Sequence, residues 1–294
     1  MKKYLRPKYL PILVPAAGLI GMLLRWWTIG SGPDKEGLYA PQPLAWTLLW
    51  IVTVLTLAAV VVLSAKLKKP GKYSDNFPAS LPGAIGTGLA ALGVGLCRQV
   101  FPISTANLLT TITNILGVIT FAMLVLSALN RYQGKKPPFF VHAVPCVFFA
   151  LRIFLLARVW SNASQVSVFL FPFLASICVM LASYQRACFD VNLGKRRASL
   201  FWSLSGVYFC LLALPGSDEP LFYIGMAAWL LTNLCSLRPL KARKPQTASE
   251  TPEVPAEPAA PVEEAPAPEI TPAPDAGLRE DMSLDELKSW LDQE

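Results

Sequence analysis

The chain has 294 residues, of which 53% are hydrophobic and 15% are charged, with a mean hydropathy of +0.45. A soluble domain carries about 25% charged residues, so this composition excludes an ordinary soluble enzyme or binding domain and indicates a membrane protein. The net charge of +7 is unevenly divided, because residues 1–244 hold 24 Lys and Arg against 6 Asp and Glu, whereas residues 245–294 hold 2 against 13.

The first apolar run follows a basic N-terminus, as in a signal peptide, but no small-x-small cleavage site precedes Arg25. We therefore predict an uncleaved first span. A helix needs about 20 apolar residues to cross the hydrocarbon core. Eight runs approach or reach that length, at residues 9–27, 44–65, 78–97, 108–129, 139–159, 166–184, 199–214 and 221–237. The predicted fold class is an all-α integral membrane protein with about eight transmembrane helices; because the last two runs are short, one re-entrant segment is the alternative.

The basic residues predict the orientation of these helices. Nineteen Lys and Arg lie at the N-terminus, in every second connection and after the last span, whereas the other connections and their helix ends hold Arg25, Lys35, Arg98 and Arg158. Basic loops resist translocation, so both termini are predicted in the cytoplasm, with the bundle in the plasma membrane. Clusters of this kind are topogenic signals, so we expect membrane lipids as partners and no nucleic acid.

The spacing of the runs suggests an internal repeat. The even-numbered spans begin near residues 44, 108, 166 and 221, and the sequence VLSA occurs at residues 62–65 and again at 125–128. The pattern suggests four helical hairpins arranged as parallel repeats. The alternative is that any chain of short-looped hairpins shows such intervals.

The third run is rich in small residues at a spacing of four. The pairs are Ala84 with Gly88, Gly86 with Ala90, and Ala91 with Gly95. Small residues at this spacing let helices approach closely. We predict a central, tightly packed helix; the alternative is that its small residues line a cavity.

Arg152 is the one charge that the pattern places clearly inside the membrane. It lies seven residues before the outer end of its run, and Asn114, with Thr110 four residues earlier, lies at a similar depth on the fourth run. Together with Arg98 and Arg158, these residues predict an outward-facing polar pocket that holds an anionic group. The alternative is that Arg152 reaches a lipid headgroup or pairs with Asp218 or Glu219.

Groups that perform chemistry are scarce. All six carboxylates before residue 245 are expected in loops, and the only histidine, His142, is expected to be an interfacial or packed residue. No spacing typical of a metal site or a phosphate-binding glycine loop occurs. We therefore predict no catalytic residue, no metal, no cofactor and no enzymatic activity.

The predicted domains are a transmembrane bundle (1–240), a disordered linker rich in Pro, Ala and Glu (241–281) and a short amphipathic helix (282–294). Ser283 and Glu286 have the spacing of a capping box. The helix presents an apolar face formed by Leu284, Leu287, Trp290 and Leu291. Short isolated helices are marginal in water, so this face is predicted to dock on a cytoplasmic protein or on the protein's own basic rim; the alternative is that it docks on neither.

Two functions fit these features. The first is a non-enzymatic ligand-binding or transport component that uses the outward-facing arginine region. The second is a membrane scaffold that recruits a cytoplasmic partner through its C-terminal helix.

Overall fold

The computed structural model describes residues 10–30, 43–65, 73–97, 108–161 and 166–237, and across these ranges the chain is helical and contains no strand. The all-α fold is therefore confirmed there. The helices are α1 (Leu10–Ile29), α2 (Pro43–Ala65), α3 (Tyr73–Asn76), α4 (Leu81–Gly95), α5 (Leu108–Gln133), α6 (Phe140–Ser161), α7 (Val166–Asp190), α8 (Arg196–Ala213) and α9 (Pro220–Cys235).

Five of these helices, α1, α2, α5, α6 and α7, are long and apolar enough to cross a membrane. Helices α4 and α9 are apolar but have 15 and 16 residues, and α8 has 18 residues but begins with Arg196 and Arg197. A 15-residue helix is about 22 Å long at 1.5 Å per residue, whereas the hydrocarbon core is about 30 Å thick. The described part of the chain is thus a helical membrane protein with five candidate spans.

Helices α4 to α9 form a ring. Each packs against its neighbours in the sequence, and α9 packs back against α4. Long side chains fill the centre, where the ring of Phe149 on α6 lies 6.2 Å from that of Phe222 on α9. Helices α1 and α2 pack on each other and on α8, outside the ring. The four predicted hairpins therefore do not occupy equivalent positions.

The predicted close packing of the third run is confirmed at the contact between α4 and α9. A Cβ atom added at Gly225 would lie 2.6 Å from the backbone oxygen of Leu89, and one added at Gly93 would lie 2.9 Å from that of Leu221. Only a hydrogen at the α-carbon permits such an approach. Gly88 has open space around it, so the predicted pairing of Ala84 with Gly88 does not mark this interface.

Helices α4 and α7 have boundaries that differ from the predicted runs. Helix α4 begins at Leu81 because residues 77–80 are not helical and the Ser80 hydroxyl caps the helix, accepting a hydrogen bond from the backbone N–H of Gly83 at 3.2 Å. Helix α7 continues to Asp190, six residues beyond the predicted end at residue 184. The apolar run stops there, but the polar residues that follow are buried against neighbouring helices, so hydropathy alone placed the end too early.

One end of the ring carries Arg131, Arg186 and Arg196, and we call it the basic end. Helices α4, α6 and α8 begin at this end, and α5, α7 and α9 end there. The short helix α3 lies beside it, because the rings of Tyr73 and Phe189 stand 5.3 and 5.2 Å from that of Phe77. The predicted linker and C-terminal helix lie outside the described residues.

Candidate functional site

Arg152 lies inside the bundle at the end opposite the basic end. Its side chain is 1% exposed and forms an ion pair with Glu219, which immediately precedes α9. It also donates a hydrogen bond to the Cys97 sulfur at 3.1 Å and lies 4.0 Å from the centroid of the Phe222 ring. Of the alternatives for Arg152, pairing with Glu219 is the one present. Its charge is thus compensated within the protein.

The other residues of the predicted outward-facing pocket are not gathered in the same way. Thr110 and Asn114 lie half-buried near the start of α5, and Arg158 is exposed near the end of α6. Arg98 lies outside the described residues. Binding of a ligand by Arg152, Asn114, Thr110, Arg98 and Arg158 stays a prediction.

Arg152 is not the only arginine buried within the bundle. Arg25, Arg131 and Arg186 are 2%, 3% and 5% exposed, all within helices. Arg25 donates a hydrogen bond to the backbone oxygen of Leu212 and lies 5.0 Å from the centroid of the Phe171 ring. Arg131 and Arg186 had been assigned to loops because they follow the apolar runs, but their helices extend past those runs and bury them.

Arg131 and Arg186 lie at the basic end, on α5 and α7. Arg131 donates a hydrogen bond from Nη2 to the Ser236 hydroxyl at 2.5 Å, and Arg186 donates one from Nη2 to the Asn233 side-chain oxygen at 2.9 Å. On both side chains the Nε and Nη1 atoms are buried and have no acceptor among the described residues. Both helices therefore direct uncompensated donors into the interior.

The two guanidinium groups share one aromatic neighbour. Their carbons lie 5.0 Å (Arg131) and 4.0 Å (Arg186) from the centroid of Phe77, so they are at most about 9 Å apart. The negative face of an aromatic ring attracts a cation, by about 2 kcal/mol when the pair is desolvated. Phe77 thus compensates part of the positive charge but offers no hydrogen-bond acceptor.

A second polar group at the basic end joins three helices. His142 on α6 contacts Asp190 on α7 through Nδ1, at 2.6 Å from Oδ2, and Ser127 on α5 through Nε2, at 2.9 Å from the hydroxyl. A carboxylate only accepts hydrogen bonds, so Nδ1 carries the proton that it donates to Oδ2. His142 is fully buried, as expected of a packed residue.

This group corrects the expectation that Asp190 lies in a loop. Asp190 is the last residue of α7 and is buried, not a loop residue. A hydroxyl, an imidazole and a carboxylate do come together, in the order that serine hydrolases use to activate a nucleophile. The Ser127 hydroxyl, however, belongs to a residue that is 4% exposed between packed helices. The prediction that the chain is not an enzyme stays a prediction.

The balance of charge at the basic end follows from these contacts. Within the described ranges Asp190 is the one acid that is buried at this end, and its Oδ2 is engaged by His142. Arg131, Arg186 and the buried Arg196 at the start of α8 thus place three guanidinium cations at an end that has one buried carboxylate. Burying charge without a partner costs several kcal/mol per ion, so this end of the ring favours an additional negative group.

The burial of Arg131 and Arg186 is not evident from hydropathy, because a basic residue near the boundary of an apolar run is usually a topogenic signal. A signal was nevertheless present. Ser127 and Arg131, and likewise Arg186 and Asp190, are four residues apart, the spacing that places side chains on one face of a helix. Asn233, near the end of the last apolar run, was a further polar residue that needed a partner.

The chain was compared with known proteins at three levels. It matches no protein-family model, no curated protein sequence and no solved structure. The functional argument therefore rests on the residues of this chain and on their contacts.

Proposed function

We propose that this protein is a non-enzymatic ligand-binding or transport component of the plasma membrane, and that its ligand is held between the helices of the α4–α9 ring at the basic end. The observation that supports this proposal is the burial of Arg131, Arg186, His142 and Asp190 at that end. Ionisable groups inside a membrane bundle are costly and usually serve binding or transport. The opposite end is the weaker candidate, because Glu219 already compensates Arg152.

The topology belongs to this proposal. Eight spans with both termini inside would place the basic end at the cytoplasmic face, with α4, α8 and α9 spanning as short helices and α9 lying between the other two. Cysteine labelling from outside the cell tests it. Labels at Lys35, Ser161 and Ser217 should react, and labels at Lys69, Lys135 and Arg196 should be protected. Protection of any of the first three contradicts the proposed orientation.

Binding is tested with the full-length protein in lipid nanodiscs. Its thermal unfolding is measured against a panel of neutral, cationic and anionic small molecules. A true ligand stabilises by an amount that rises with the logarithm of its concentration above the dissociation constant, about 2.7 kcal/mol at 100 times that constant. Saturable stabilisation by at least one class supports the proposal. No stabilisation by any class contradicts it and favours the scaffold function.

The absence of enzymatic activity is tested separately. A fluorophosphonate reagent labels serine residues that an adjacent imidazole activates and that a substrate can reach. We expect no labelling of Ser127. Labelling that disappears in Ser127→Ala and in His142→Gln would identify a nucleophile and overturn this part of the proposal.

A further inference from the structure

The interior of the basic end offers more hydrogen-bond donors than acceptors. Each guanidinium has five N–H groups and no acceptor. The described partners of Arg131 and Arg186 are the Ser236 hydroxyl, the Asn233 side-chain oxygen and the phenol of Tyr73, which interacts with the Arg131 guanidinium. Three acceptors cannot satisfy ten N–H groups. Buried Nε and Nη1 atoms remain on both arginines.

Other described groups at this end do not make up the difference. The Ser236 hydroxyl is itself a donor to the backbone oxygen of Asn233 at 3.0 Å, and the Asn233 amide donates to that of Trp229 at 2.8 Å. Asp190 is occupied through Oδ2 by His142. Its Oδ1 has no hydrogen-bond partner among the described residues, and the carboxylate attracts the Arg186 guanidinium. With the buried Oδ1 of Asn76, two acceptor oxygens stand against four buried arginine nitrogens.

The arrangement is held in place by packing. Gly83 of α4 lies so close to Arg131 that a Cβ atom there would stand 2.9 Å from Nε. The Phe77 ring contacts both guanidinium groups. Two arginines with positions set by packing, and with unsatisfied donors, form a preorganised receptor for an oxyanion.

We propose that Arg131 and Arg186 bind the phosphate group of the ligand at the basic end. This inference rests on the proposed function and names the chemical class of its ligand. A phosphate offers several acceptor oxygens for the guanidinium N–H groups, and up to about two negative charges for the two positive charges of Arg131 and Arg186. The group belongs either to a soluble phosphate compound or to an anionic lipid headgroup, and the same two arginines hold it in both cases.

The test measures thermal unfolding of the full-length protein in phosphatidylcholine nanodiscs. In one arm inorganic phosphate is titrated against chloride at constant ionic strength. In the other, phosphatidic acid replaces part of the lipid. The variants are Arg186→Gln, Arg131→Lys and Arg186→Lys. Lysine keeps the positive charge but lacks the planar guanidinium that binds two oxygens at once. The two lysine variants therefore remain testable if Arg186→Gln does not fold. Lys136→Gln, which removes an exposed charge from the same end, is the matched control.

We expect inorganic phosphate to stabilise the wild type and Lys136→Gln alike, and to bind the arginine variants about 10- to 100-fold more weakly. Arginine-dependent stabilisation by phosphatidic acid alone would identify the lipid as the source of the phosphate. Stabilisation by neither, or equal stabilisation of the wild type and the lysine variants, would overturn the proposal. If a neutral or cationic compound from the panel stabilises the protein and phosphate does not, this inference fails while the proposed function stands.

Discussion

The guanidinium groups of Arg131 and Arg186 lie over the same aromatic ring, that of Phe77, although they belong to different helices. The ring offsets part of the repulsion between two buried cations. Phe77→Leu keeps an apolar side chain but removes the aromatic face, so we expect it to lower the free energy of unfolding by about 1–3 kcal/mol. Phe154→Leu, at an exposed aromatic residue of α6, should change it by less than half as much. Equal effects would mean that packing alone explains Phe77.

The ion pair between Arg152 and Glu219 should behave as a buried pair. Glu219→Gln leaves a buried cation without its partner, so we expect a loss of about 3–5 kcal/mol. The double substitution Arg152→Met/Glu219→Gln removes both charges and should cost less than Glu219→Gln alone. Unfolding of the three variants is measured in the same lipid. A double variant that is less stable than Glu219→Gln would show that Arg152 contributes mainly through its packing and not through this ion pair.

A double-mutant cycle tests the contact between His142 and Asp190. His142→Gln and Asp190→Asn should each destabilise the protein, and their effects should couple by about 1.5–3 kcal/mol because a buried hydrogen bond to a charged group is lost once in the double variant. Ser127→Ala removes the hydrogen bond between its hydroxyl and His142 and should cost about 0.5–1.5 kcal/mol. Additive effects of the two single substitutions would contradict the observed pairing.

The close approach of α4 and α9 gives a matched pair of glycine substitutions. Gly225→Ala directs a methyl group against the backbone of Leu89, which cannot rotate away, so a loss of about 1–3 kcal/mol is expected. Gly88→Ala meets open space and should be neutral or stabilising by up to about 1 kcal/mol through helix propensity. Unfolding measurements that show no difference between the two would contradict the contact.

The C-terminal helix remains a prediction from the sequence, outside the described residues. Its apolar face should bind a cytoplasmic protein or the basic rim of the bundle. Pull-downs with the wild type and with Leu287→Asp/Leu291→Asp distinguish these cases. Loss of a partner in the double variant supports recruitment, and salt-sensitive protection of the tail from protease supports docking on the rim. If neither result is obtained, the helix has no demonstrated role.

The sequence predicted the helices better than it predicted the site. Long apolar runs determine where helices form, so α2 and α5 begin within one residue of the predicted starts. Hydropathy does not show which polar residues share an interior. Arg186 and Asp190 looked like loop residues because the apolar run ends at residue 184, yet α7 continues through both. Partners such as Ser236 and Asn233 are 105 and 47 residues from the arginines that they contact, so only the packing of the ring brings them together.

We propose that Arg131 and Arg186 together bind one phosphate group. The most direct test is equilibrium binding of labelled inorganic phosphate to the nanodisc-embedded protein. The result we predict is saturable binding of one phosphate per chain, displaced by unlabelled phosphate but not by chloride at the same ionic strength. Arg186→Lys should weaken that binding about 10- to 100-fold, and Lys136→Gln should leave it unchanged. Binding that is the same in Arg186→Lys as in the wild type would contradict the claim, and so would a lack of saturable phosphate binding together with no arginine-dependent stabilisation by phosphatidic acid.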